Sequence, residues 1–161
     1  MSLPLFRTPL PQTRQIRFWA CLIGYAVALL GVPFLARQAV GLAHLLPGAL
    51  LVSASGEGTV GDLFGYLAFV VQALGKSTEI SWMGALLSVP VVVWAQHKGW
   101  FGFGTAMLTG IGVLVPVAFG MLDGNLEETA VLTLYLALPS ALLGLAFWIT
   151  VRVICPGAFR Q

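Results

Sequence analysis

Two histidines are the side chains in this sequence that most readily suggest cofactor chemistry, because imidazole ligates metals and is a common axial ligand of haem. His97 stands beside Lys98 at the end of one apolar run, and His44 lies in a separate run. If these runs cross a bilayer, the two rings are separated by most of its thickness. We therefore predict that the chain binds no haem, no metal and no other cofactor, and that both histidines have ordinary interfacial roles.

An acidic stretch, Asp-Gly-Asn-Leu-Glu-Glu at 123–128, superficially resembles a calcium loop, with oxygen-bearing side chains at alternate positions. It lacks the glycine at the sixth position and the glutamate at the twelfth that such a loop requires. The pattern is also typical of a helix start, with Asn125 as the N-cap and Glu128 as its capping-box partner. We predict the helix start and no metal site.

Enzymatic motifs are absent from the sequence. Gly-Phe-Gly at 102–104 is followed by Met107 where a dinucleotide fingerprint needs its third glycine, and no Gly-x-Ser-x-Gly elbow surrounds any serine. Cys21 and Cys155 lack Cys-x-x-Cys spacing and are predicted to be reduced packing residues. We predict no catalytic residue and no enzyme activity.

The amino-acid composition indicates that much of the chain is surrounded by lipid. Of the 161 residues 58% are hydrophobic and 9% are charged, whereas about a quarter of the residues in an average soluble domain are charged. The apolar residues form long unbroken runs, which suit lipid rather than a fold that faces water on one side. The net charge of +2 comes from scattered single residues, so we predict no nucleic-acid partner.

These runs predict an all-α fold, a polytopic helical membrane bundle. Four runs are long enough to cross about 30 Å of hydrocarbon, and they cover residues 18–36, 80–96, 101–122 and 129–153. Two shorter segments, 39–54 and 60–75, are either thin spans or a partly re-entrant cap, so both four and six spans remain open. We divide the chain into an N-terminal arm (1–17), a transmembrane domain (18–154) and a C-terminal tail (155–161).

Basic residues predict the orientation of this bundle. With an even number of spans and the N-terminus inside, only Arg37 and Lys76 of the eight basic residues lie outside, as the positive-inside rule favours. The first run is too long for a signal peptide and is followed by Arg37-Gln38 rather than a cleavage site. We predict a multi-pass protein of the bacterial inner membrane with both termini in the cytoplasm.

Small residues and prolines mark the predicted helices. A proline stands in each of the four long runs, at positions 33, 90, 116 and 139, and is expected to kink its helix. Small residues recur at helical spacing on the last two runs, which allows close helix packing in lipid. The packing candidates are Gly112, Pro116, Gly120, Ala137, Ser140, Ala141 and Gly144.

No acidic or basic residue lies in the middle of a long run, which argues against a proton- or ion-coupled carrier.

The leading hypothesis is a non-enzymatic accessory or structural subunit whose partners are the bilayer and other membrane subunits. A first alternative is a small channel or transporter for a neutral or lipidic substrate, which a polar path would favour. That path would be lined by Gln72, Ser88, Thr105, Thr109 and Ser140. A second alternative is a membrane enzyme or cofactor carrier that uses His44 or His97, and a third is a toxin-immunity or exclusion protein.

Overall fold

The computed structural model describes residues 16, 18–45, 59–79 and 81–159. Within those ranges the chain is helical, with short turns and no strand, so the all-α prediction is confirmed. The helices in chain order are α1 (Phe18–Ala26), a π-helical turn (Val27–Gly31), α2 (Val32–Leu45), α3 (Thr59–Lys76), a 3₁₀ turn (Ser77–Glu79), α4 (Ser81–Lys98), α5 (Phe103–Met121), α6 (Leu126–Ile154) and a final 3₁₀ turn (Pro156–Phe159).

The structure supports a coarser count of membrane spans than the four or six that the sequence left open. Three helical stretches among the described residues are long and apolar enough to cross a bilayer, namely Phe18–Gly41, Phe103–Met121 and Leu126–Ile154. Helices α3 and α4 are long and apolar enough to cross a bilayer only if they are taken together as one bent span. The bend between Gly65–Lys76 and Ser81–Lys98 is 84°. The chain thus has three candidate spans, or four if the bent pair is one span, and neither four nor six is established.

The two short segments, predicted at 39–54 and 60–75, differ in structure. Residues 39–45 continue the first helix as part of α2 instead of starting a new one, and 46–58 lie outside the described residues. The segment predicted at 60–75 is α3. Its last turn packs on α2, where Arg37 Nε donates a hydrogen bond of 2.6 Å to the carbonyl oxygen of Gly75.

Pro33 explains the π-helical turn in the first helix. Proline has no N–H to donate to the carbonyl four residues earlier, and its ring crowds that carbonyl. The backbone widens just before it, so that the N–H of Val32 donates to the carbonyl oxygen of Val27, five residues back. The kink predicted at Pro33 therefore takes the form of one wide turn.

The most extensive helix contact joins α5 to α6, and two glycines allow it. A Cβ on Gly110 would collide with the carbonyl oxygen of Ser140, and a Cβ on Gly144 would collide with that of Ala106. The absence of side chains at both positions lets the two backbones touch, which in lipid is a main source of helix association.

The turns follow local capping rules. Gly99, at a φ of 70°, ends α4 in a Schellman motif, with the N–H of Trp100 donating to the carbonyl oxygen of Ala95 at 2.8 Å. Asn125 is the N-cap of α6, as predicted, and its side chain accepts from the N–H groups of Glu127 and Glu128. The predicted capping-box return from Glu128 is wrong, because the N–H of Asn125 donates instead to the carbonyl oxygen of Leu122.

One end of the bundle, here called the aromatic end, contains a cluster of buried and half-buried rings. Its members are Phe101, Phe103, Phe147, Trp148 and Phe159. Ile16 and Phe159, near the two ends of the described chain, belong to the same cluster, and the Arg152 guanidinium lies 5.1 Å from the Trp148 ring centroid. Because both termini are predicted to be cytoplasmic, this end is predicted to face the cytoplasm.

Candidate functional site

A cavity of about 310 Å³ lies between the helices. Its wall is formed by α1 with the π-helical turn, by α4, α5 and α6, and by the last residues of α3. Most of the surface comes from alanine, glycine, valine, leucine and aromatic side chains. The volume is at the lower end of the roughly 300–1,000 Å³ that is typical of small-molecule sites.

Aromatic side chains line the cavity toward the aromatic end. The rings of Tyr25 and Phe147 lie 4.7 Å apart between centroids, and those of Phe101 and Phe147 lie 6.1 Å apart. The indole Nε1 of Trp148 donates to the carbonyl oxygen of Phe101 at 3.3 Å. These contacts fix the rings, so this part of the cavity has a rigid apolar wall.

Four of the five polar side chains predicted to line a path lie in the cavity wall: Ser88, Thr105, Thr109 and Ser140. The fifth, Gln72, is exposed on α3 and does not line it.

Two of these hydroxyls already have partners in the protein. The Ser88 hydroxyl donates to the carbonyl oxygen of Ala85 at 2.8 Å and lies 2.7 Å from the hydroxyl of Tyr25. The Thr109 hydroxyl donates to the carbonyl oxygen of Thr105 at 2.8 Å. Because their donors are used within the protein, these hydroxyls add little polarity to the wall, which suits an apolar occupant better than water or ions.

The break between α3 and α4 forms the polar part of the wall, away from the aromatic end. Lys76, Ser77 and Ser81, here called the polar mouth, line the cavity at this break. The intervening 3₁₀ turn packs beside the π-helical turn, which occupies the middle of Phe18–Gly41. Two helix irregularities therefore meet at one level of the bundle and share one cavity.

No family model, curated protein or solved structure matches this chain. Sequence reasoning missed the cavity because its wall is built mostly from the same residue types as the exposed apolar faces of the helices. Pro33 and the serines of α4 were the available signals.

His97 and the two cysteines lie apart from this cavity. His97 is exposed in the last turn of α4, next to Gln96, whose Nε2 donates to Cys21 Sγ at 3.1 Å. The backbone of His44 lies about 35 Å further along the first helix than that of Cys21, at 1.5 Å per residue; its side chain is outside the described part. Cys21 and Cys155 are free thiols in the aromatic end. The described residues contain no cluster of three or more potential metal ligands.

The predicted small-residue stripes fall on different surfaces. On α6, Gly144 makes a close backbone contact with α5. The backbone carbonyl of Ser140 makes a second one, with Gly110 of α5. Ala141 is buried and Ala137 half-buried. On α5, Gly112 and Gly120 have no atom within 4 Å of an added Cβ, and Pro116 is exposed. The contact with α6 is made by Gly110, which was not among the predicted residues.

Proposed function

We propose that this chain is a multi-pass carrier or transporter that binds a small neutral or lipidic molecule in the cavity between its helices. The proposal places it in a bacterial inner membrane with cytoplasmic termini. The observation that carries it is the apolar cavity of about 310 Å³ beside the broken helix pair α3–α4. Discontinuous helices are a recurring device at transporter binding sites, because broken helix ends supply polar groups inside a bundle.

The chemistry of the wall supports binding without conversion. The hydroxyls of Ser88 and Thr109 donate to backbone carbonyls, and neither is paired with a histidine that would activate it. The proposed role accordingly needs no catalytic residue, cofactor or nucleic acid. Its partner is the bilayer, which supplies and receives the ligand.

Filling the cavity tests the proposal. Ala85→Trp places a large ring in the cavity wall on α4, and it is expected to abolish copurification of bound lipid or other apolar molecules, because ring and ligand compete for one volume. The measurement is mass spectrometry of organic extracts from protein purified in a mild detergent, with ligand expressed per mole of protein.

The matched control is Leu86→Trp, one residue further along the same helix, where the side chain is 64% exposed and faces away from the cavity. The control is expected to retain the wild-type amount of ligand. Equal ligand content in the two variants, at equal thermal stability, would count against the cavity as the binding site.

The outer face of α5 favours a second candidate, the accessory or structural subunit. Gly112 and Gly120 leave a shallow strip that no described part of the chain covers. Such a strip admits another helix closely and allows association in lipid. In this role the partner is another membrane subunit.

Replacing the glycines of this strip tests the second candidate. Gly112→Leu together with Gly120→Leu is expected to remove a copurifying subunit while leaving the stability of the isolated chain unchanged, because nothing lies within 4 Å of either position. The measurement is native electrophoresis and protein identification after gentle solubilisation. Migration of the wild-type chain as a lone monomer would eliminate this role.

A further inference from the structure

We infer that the ligand of this cavity is an amphipathic anion, a single apolar chain with a carboxylate or phosphate headgroup that binds at the polar mouth. The inference rests on the proposed binding function and adds the class and orientation of the ligand. The chain lies among the apolar and aromatic side chains, and the oxyanion lies between Lys76 and Ser81. Both residues line the cavity on the side of the helix break.

Lys76 supplies the positive charge. It is exposed, lines the cavity, and has no ion-pair or hydrogen-bond partner in the part of the chain that the structure describes. It directly precedes the 3₁₀ turn that packs beside the π-helical turn. Where the bent pair α3–α4 forms one span, Lys76 lies at its bend inside the bilayer, and not outside as the charge distribution predicted. A cation there is costly unless an anion, water or another polar group accompanies it, and such cations are retained chiefly for function.

Ser81 supplies an unused hydrogen-bond donor. Its Oγ is buried and finds no partner among the described residues, although it lines the cavity. Buried hydroxyls are nearly always bonded, so an orphan of this kind indicates a missing partner. Ser77, the other serine of the polar mouth, already donates its hydroxyl to the carbonyl oxygen of Leu74 at 2.7 Å.

The N-terminus of α4 adds a partial positive charge to the polar mouth. This helix begins at Ser81, and Gly84, in the same first turn, also lines the cavity. The first N–H groups of a helix have no partners within it, and the dipole favours a negative charge there. One lysine, one hydroxyl without a partner among the described residues and one helix N-terminus thus lie together on one side of a mostly apolar cavity, which is the complement of a chain with one anionic head.

Binding of chain-matched probes tests the inference. The full chain, purified in a neutral detergent, is titrated with hexadecanoate, hexadecyl phosphate and hexadecanol, and inorganic phosphate is tested as a competitor. Hexadecanoate or hexadecyl phosphate is expected to bind at least about tenfold more tightly than hexadecanol, the effect of one charge-assisted hydrogen bond. Lys76→Gln is expected to remove that advantage and leave hexadecanol affinity unchanged, and Lys76→Arg to retain it.

Two matched controls separate a headgroup site from a general effect of charge or folding. Lys98→Gln makes the same change at the last residue of α4, where Lys76 is the last residue of α3, and is expected to leave all affinities unchanged. Ser81→Ala is expected to weaken only anion binding, and Ser77→Ala to do nothing, because its hydroxyl is already committed.

The remaining outcomes distinguish the two levels of the proposal. Equal binding of hexadecanoate and hexadecanol, both lost in Ala85→Trp, would overturn the headgroup and leave the cavity function standing. Displacement of hexadecanoate by inorganic phosphate at similar concentration would show a site for free anions and overturn the amphipathic ligand. Failure of every chain-bearing probe to bind would overturn the inference, and if Ala85→Trp also removes no copurifying ligand, the proposed function is overturned with it.

Discussion

A single methyl group at position 144 is expected to force α5 away from α6. In Gly144→Ala the new Cβ would collide with the carbonyl oxygen of Ala106 and lie 2.9 Å from its carbonyl carbon and 3.3 Å from Met107 Cα. These are all backbone atoms, so no side chain can rotate to make room. Overpacking typically costs about 1–3 kcal/mol, and we expect about 3 kcal/mol here because the most extensive contact of the bundle must open. The measurement is the free energy of unfolding in mixed detergent micelles.

Gly110→Ala is expected to behave in the same way from the opposite helix, because its Cβ would meet the backbone of Ser140. The matched controls are Gly112→Ala and Gly120→Ala on the same helix, where nothing lies within 4 Å. These are expected to be neutral, or to stabilise by up to about 1 kcal/mol because alanine is the better helix former. If Gly144→Ala and Gly112→Ala unfold with free energies within about 0.5 kcal/mol of each other, the described helix contact is wrong.

Removal of the Trp148 side chain is expected to cost about 3–5 kcal/mol of unfolding free energy. The indole is 4% exposed, and its centroid lies 5.8 Å from those of both Phe103 and Phe159. Trp148→Ala therefore deletes the centre of the aromatic end and loses the dispersion contacts of a whole ring. It also enlarges the cavity, so the variant is expected to bind its apolar ligand less selectively. Thermal unfolding and the ligand extraction described above measure the two effects.

Two further variants separate volume from polarity at this position. Trp148→Phe keeps most of the ring but loses the bond to the Phe101 carbonyl, and is expected to cost about 1 kcal/mol. Trp94→Ala removes the same side chain from a site that is 51% exposed, where the indole only packs edge-on to Trp100 at 5.9 Å, and is expected to cost about 1 kcal/mol or less. A loss in Trp148→Ala no larger than that in Trp94→Ala would contradict the described packing.

Helix positions were largely predictable, because runs of apolar residues and caps are local properties of the chain. The run predicted at 101–122 became α5, Phe103–Met121, and Asn125 caps α6 as expected. These features depend on spacing along the chain and need no knowledge of distant contacts.

Helix faces were less predictable. Gly102, Ala106 and Gly110 recur every four residues just as Gly112, Pro116 and Gly120 do, and in lipid neither stripe has a hydrophobic reason to be inside. Only the position of α6 decides between them. The bend between α3 and α4 was invisible for a related reason, since an apolar segment of marginal length is compatible with several paths through a bilayer. The candidate cavity depends on both features, so the sequence predicted four of its polar wall residues but not the cavity itself.

The π-helical turn at Val27–Gly31 determines which way the side chains of α2 face relative to those of α1. Buried positions step by four residues from Ala20 to Gly24 to Ala28, and then by five to Pro33. Deleting one residue there would rotate α2 by about 100° about its axis relative to α1. Arg37 would then point away from the Gly75 carbonyl that it now holds. This helix consequently tolerates exchange of side chains along its length far better than a change in the number of residues within that turn.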